Sequence, residues 1–144
     1  MVPASIPCVK LASAPIPASW VREGNPVARS AILSHSADGA AMTLEWDCTA
    51  GKFDWIYDIE ETIYITEGCA FIGTEKSPMR KYQPGDVLTL SSGTVAHWKV
   101  DNYVRKIAFL RLPQPRFVTL GVLAIRKMRQ LISRPAETNP LRQA

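Results

Sequence analysis

Short runs in which apolar and polar residues alternate, separated by turn residues, fill the middle of this chain and predict β-strands rather than helices. Met42, Leu44 and Trp46 alternate with Thr43 and Glu45, and Thr62 to Thr66 is rich in β-branched and aromatic residues. Val87 to Leu90, Val95 to Val100 and Val104 to Leu112 continue the pattern. Asp38-Gly39, Gly51, Glu67-Gly68, Pro84-Gly85-Asp86 and Ser92-Gly93 punctuate it, each offering a glycine where the backbone turns. An antiparallel all-β body is expected. After Arg116 the period changes: Phe117, Leu120, Ala124, Met128 and Leu131 share one helical stripe, with Ile125 and Ile132 beside it, until Pro135 ends the run. One C-terminal amphipathic α-helix is expected there.

Proline placement marks the boundaries. Five of the 11 prolines lie in the first 26 residues and four follow Leu112, so the chain divides into a Pro-rich N-terminal arm (1–26), a β-body (27–112) and a C-terminal helix and tail (113–144). At 144 residues and 47% hydrophobic content the chain can bury a core without staples.

Charge and cysteine content narrow the function classes. The net charge of +4 belongs to the tail, because seven of the 17 basic residues lie between Arg111 and Arg142 with Glu137 the one acid among them. The body is close to neutral. A cationic surface helix is the reading, with no nucleic-acid partner; engagement of a partner or a membrane surface by that helix is the alternative for an accessory protein. Three cysteines, Cys8, Cys48 and Cys69, show no C-x-x-C spacing, which fits a reducing, cytoplasmic setting and neither a disulfide framework nor a zinc ribbon. Pro3, Pro7, Pro15 and Pro17 interrupt any secretory-type apolar run, and the longest apolar stretch, Phe117 to Ile125, is too short for a transmembrane segment.

The chemistry-bearing residues sit in two glycine-framed blocks. Glu61 stands seven residues before Gly68, and Gly85 stands eight before Gly93. These intervals reproduce E-x6-G and the glycine spacing of the two motifs of cupin barrels, which the chain resembles. A narrower resemblance, carried by Trp20 with Gly24 and Pro26, Asp38-Gly39, Trp46 to Phe53, Asp58 to Glu61, Pro84-Gly85-Asp86, Gly93 with Trp98, and Val104-Arg105-Lys106, is to small single-domain cupins of the (S)-ureidoglycine aminohydrolase type. The resemblance implies a cupin double-stranded β-helix, a jelly-roll barrel with the motif side chains in its interior, and a homodimer. It also implies a metal held by imidazoles and a carboxylate, able to polarise a substrate oxygen or activate water.

Most of those ligands are missing. Counted from Glu61, the two histidine slots hold Trp55 and Tyr57; in the second motif the ligand slot holds Ala96 and Ser91 replaces a proline. His97 is one residue late, and strand alternation points such a residue out of the pocket unless a bulge turns it back. The expectation is a small-molecule pocket lined by Trp55, Tyr57, Glu61, Trp98, Lys106 and His97, with Glu61 as its candidate catalytic acid or base and no metal cofactor. Were a divalent transition metal to bind, Glu61 and His97 would hold it, and the chain would then be a metal-dependent, ureidoglycine-aminohydrolase-like enzyme on a small nitrogen-containing acid. A metal-free epimerase pairing Tyr57 with an inward His97 is a further alternative. Arg105 and Lys106 face opposite sides of one strand, and nothing in the sequence decides which is inside.

Overall fold

The structure, a computed structural model, describes residues 9–112 together with Ile125 and Lys127. The strands described below all belong to the unit within residues 1–113. Apart from Ile125 and Lys127, residues 116–134, on which the amphipathic helix is expected, lie outside the described residues. Among those residues no helix is long and apolar enough to cross a membrane.

Among the described residues nine strands follow in order: β1 (Ala12–Ser13), β2 (Val21–Gly24), β3 (Ala28–His35), β4 (Ala41–Ile56), β5 (Glu60–Gly68), β6 (Ala70–Thr74), β7 (Ser77–Tyr82), β8 (Val87–Leu90) and β9 (Val95–Arg111). All pairings are antiparallel. The two longest strands pair with each other from Ala41↔Arg111 to Ile56↔Val95 and form the spine. The first half of β4 and the second half of β9 belong to the order β1-β3-β4-β9-β5-β8. Their other halves pair with β2 on one side and with β6, which carries β7, on the other. The ribbon thus passes from one half of an all-β sandwich to the other, and the two halves enclose the core.

The passage is made at an irregularity. The register of β4 on β9 shifts between Thr49 and Gly51, and a bulge of this kind lets a strand bend and change sheet. Gly51, expected in a turn, is therefore inside a strand, and a Cβ there would meet the Pro26 ring at 2.9 Å. Gly68 does serve a turn: its φ is +68°, and a Cβ would lie 2.1 Å from the Tyr103 carbonyl oxygen. Asp86 caps the turn between β7 and β8 by accepting a hydrogen bond from the Gln83 amide. His35 ends β3.

The segment read as an arm joins the sheets through β1 and β2, and its Ile16 is buried in the core. Alternation along β9 sends Ala96, Trp98, Val100, Val104, Lys106 and Ala108 inward, where β4 answers with Leu44, Trp46, Cys48, Phe53 and Trp55. Phe109 is 48% exposed on the other face.

Candidate functional site

Register places the site. Trp46 is the cross-strand partner of Lys106 on β4, and Ile65 is its partner on β5, where Glu61 lies on the same inward face. Lys106 is therefore the inward member of the Arg105–Lys106 pair, and it is 3% exposed while Glu61 is 5% exposed. Lys106 Nζ donates to Glu61 Oε1 at 2.6 Å. The same ammonium lies 5.0 Å from the Trp46 ring, 5.0 Å from Trp98 and 5.7 Å from Trp55. A desolvated cation over indole faces gains quadrupole attraction, and the carboxylate neutralises it.

The aromatic lining is continuous. Trp46 packs edge-on against Trp55 and Trp98 at 5.7 and 6.0 Å between centroids, and Phe53 stacks on Trp98 at 5.9 Å. Trp20, brought in beside β2, packs edge-on against Trp55. Tyr57 follows β4, with its backbone fixed to Gly93 and Thr94 by two hydrogen bonds, and its ring is 6.3 Å from Trp55. Burial, and then the charge of Glu61, hold its phenol well above the ordinary tyrosine range; the nearby indole of Trp98 opposes them. Tyr57 is consequently a proton donor here and not a base.

The site is not fully satisfied. Trp46 Nε1, Trp98 Nε1 and Tyr57 Oη are buried and have no hydrogen-bond partner in acceptable geometry, including each other. Most buried polar groups are paired; of the seven buried side-chain atoms without a partner among the described residues, these three donors gather around one ion pair, and the others are Glu45 Oε1 and Oε2, Arg105 Nε and Thr66 Oγ1. A cavity of ≈ 420 Å³ opens beside this interior, between the β6–β7 hairpin and the segment from β8 to Val95. Two of its lining residues, Leu90 and Ile72, are cross-strand neighbours of Glu61 and Trp98. Glu61, Lys106, Tyr57 and the tryptophans do not themselves line the cavity; they stand behind Leu90 and Ile72.

Four of the expected pocket residues, Trp55, Glu61, Trp98 and Lys106, come together here, and Tyr57 borders them. His97 does not. It pairs with Asp54 across β4 and β9 with no bulge between them, and its Nδ1 lies 2.7 Å from Asp54 Oδ1 with the side chain 43% exposed on the outer face. The roles that required an inward His97, as a metal ligand beside Glu61 or as a base opposite Tyr57, are therefore corrected: alternation carries it outward. Trp46 was not among the expected pocket residues. Its inward alternation with Leu44 was visible, but its place against Lys106 depends on strand register.

A metal does not fit this donor set. Glu61 faces an ammonium where imidazoles would be needed, and among the described residues no three His, Cys, Asp or Glu side chains converge on a point. Cys48, also inward, has its thiol pushed up to about 12 by burial and the charge of Asp47, so it stays protonated.

A family model described as the EutQ-like cupin domain matches residues 35–108. No curated protein matches the chain in sequence. Among solved structures, the EutQ protein of Clostridium difficile is 17% identical over 60% of this chain and 63% of that one, with a TM-score of 0.52. A Pseudomonas syringae protein of unknown function is 22% identical over 72% of this chain and 45% of that one, with a TM-score of 0.65. The polyketide cyclase RemF of Streptomyces resistomycificus is 17% identical over 80% of this chain and 82% of that one, with a TM-score of 0.58. The chain spans less than two thirds of the length of the first two, and likeness at these identities shows a shared fold.

Proposed function

Because this chain belongs to the EutQ-like cupin family, we propose that it is a small-molecule-binding barrel that holds its ligand against the Glu61–Lys106 pair and needs no metal ion to do so. The observation that carries this reading is the pair itself, buried at 2.6 Å between indole faces with three unfilled donors around it. Apolar residues of similar volume commonly serve stability as well as a buried ion pair does or better, so folding alone is a weak reason to keep one. Unfilled donors in the same place supply the other half of a binding site. The adjoining cavity, lined by Leu88, Leu90, Ile72 and Tyr82 among others, is of a size that receives small molecules.

A metal-dependent hydrolase of the ureidoglycine-aminohydrolase type is disfavoured, since its ligand positions hold Trp55, Tyr57 and Ala96. An accessory role for the basic tail falls on residues outside the described ones.

A fragment library read by thermal shift on the wild type and on the Glu61→Leu/Lys106→Met double variant tests the reading. Stabilising fragments are expected for the wild type alone, and dialysis against EDTA should leave those shifts unchanged. If both proteins respond to the same fragments, or neither responds to any, the ligand is not held at this pair; if EDTA abolishes the shifts, a metal is required.

A further inference from the structure

The inventory of the interior says what kind of molecule it can take. Trp46 and Trp98, whose indole nitrogens are unpartnered, are the two rings that stand 6.0 Å apart and each 5.0 Å from the Lys106 ammonium. An indole N–H donates and never accepts. Tyr57, kept protonated by burial and by Glu61, adds an O–H without a partner. Lys106 has three ammonium hydrogens, of which one reaches Glu61. The interior is thus rich in donors.

Its charge, by contrast, is already balanced. Lys106 on β9 and Glu61 on β5 cancel. The other inward positions that surround them carry no charge: Cys48 on β4 is a protonated thiol, Ile63 and Ile65 come from β5, Ile72 from β6, Leu88 and Leu90 from β8. A carboxylate reaching these donors from the adjoining cavity, past Leu90 and Ile72, would add an uncompensated buried charge, which costs more than its hydrogen bonds return. A carbonyl oxygen offers the lone pairs these donors lack and brings no charge.

We propose that the ligand of this barrel is a neutral carbonyl compound, such as an amide, lactam, ester or ketone, which accepts hydrogen bonds from Trp46, Trp98 and Tyr57, and is not a carboxylate. The proposal rests on the small-molecule reading above and narrows its ligand class.

Benzamide and benzoate are nearly isosteric and differ in charge at neutral pH, so together they test it. In ¹⁵N-labelled protein the indole N–H signals of Trp46 and Trp98, assigned with Trp46→Phe and Trp98→Phe variants, should move on titration with benzamide. Benzamide should bind at least about tenfold more tightly than benzoate, since an uncompensated buried charge costs more than that. Tyr57→Phe, which removes one oxygen and keeps the ring, should weaken benzamide several-fold without lowering thermal stability. Equal or tighter binding of benzoate overturns the ligand class and leaves the small-molecule reading standing. Indole signals that ignore both probes, in a protein that still answers the fragment library, overturn the class as well. A protein that answers no fragment at all fails the earlier reading.

Discussion

The β4–β9 ribbon has two faces made from the same two strands, and both carry buried acids. On the outer face Asp47 accepts hydrogen bonds from Arg29 Nε and Nη2 and from the Tyr103 hydroxyl, so its oxygens are filled. Glu45 beside it faces Arg105 at 3.5 Å, and Asp54 is shared by Arg22 and His97. Each of these acids has a basic partner that reaches water. On the inner face one acid meets one base, both are out of water, and the surrounding groups are donors with nothing to donate to. Polar content does not tell the faces apart. What separates them is whether solvent can replace a lost partner: Glu45 Oε1 and Oε2 and Arg105 Nε on the outer face also lack a hydrogen bond, but Arg105 reaches water, whereas neither member of the inner pair does.

The sharpest way to break the comparison is to remove one inner charge. Glu61→Ala leaves the Lys106 ammonium buried without its carboxylate, and a loss of about 3–5 kcal/mol is expected, read from urea denaturation at pH 7. Replacing both partners by apolar residues, as in Glu61→Leu with Lys106→Met, should recover most of that loss, because the desolvation cost disappears along with the attraction. A single-variant loss below about 1 kcal/mol would mean that water reaches the ammonium, and the two faces would then be alike.

The outer cluster should give a smaller effect. Asp47→Ala removes the acceptor of three hydrogen bonds but leaves Arg29, half-exposed, free to rehydrate, and about 1–3 kcal/mol is expected from the loss of buried hydrogen bonds. The same variant has a spectroscopic readout. Burial, and next the hydrogen bond and charge of Asp47, raise the Tyr103 phenol above its usual range, so its absorbance titration should move to lower pH when the carboxylate is gone. A titration that stays in place would assign the shift to burial alone.

The two faces were unequally legible in the sequence. Alternation and glycine spacing are local, and they give the strands and the E-x6-G frame from Glu61 to Gly68 directly. They also give the outward direction of His97 once no bulge intervenes. Register is long-range: that Lys106 stands opposite Trp46, or Asp54 opposite His97, depends on how β4 lies against β9. Either Arg105 or Lys106 satisfied the alternation, and only pairing chose between them. Gly51 read as a turn for a related reason, since a glycine at a bulge and a glycine at a turn look the same in one dimension.

The smallest effect is expected at Asp54, where the outer face is wettest. Its carboxyl lies below the ordinary range, first through the hydrogen bond with His97 and then through Arg22, with burial opposing. A depressed folded-state pKa stabilises above the unfolded value of about 3.8, and that contribution is lost as pH falls from there through the folded value. Asp54→Ala should therefore cost under about 1 kcal/mol at pH 7, discounted for a side chain that solvent still reaches. The difference between variant and wild type should shrink as pH falls below about 4 and vanish once Asp54 is protonated in both states. Raising the salt concentration should also reduce it, whereas the Glu61–Lys106 pair, shielded from ions, should hold its coupling. Equal salt sensitivity at both pairs would erase the distinction between the faces.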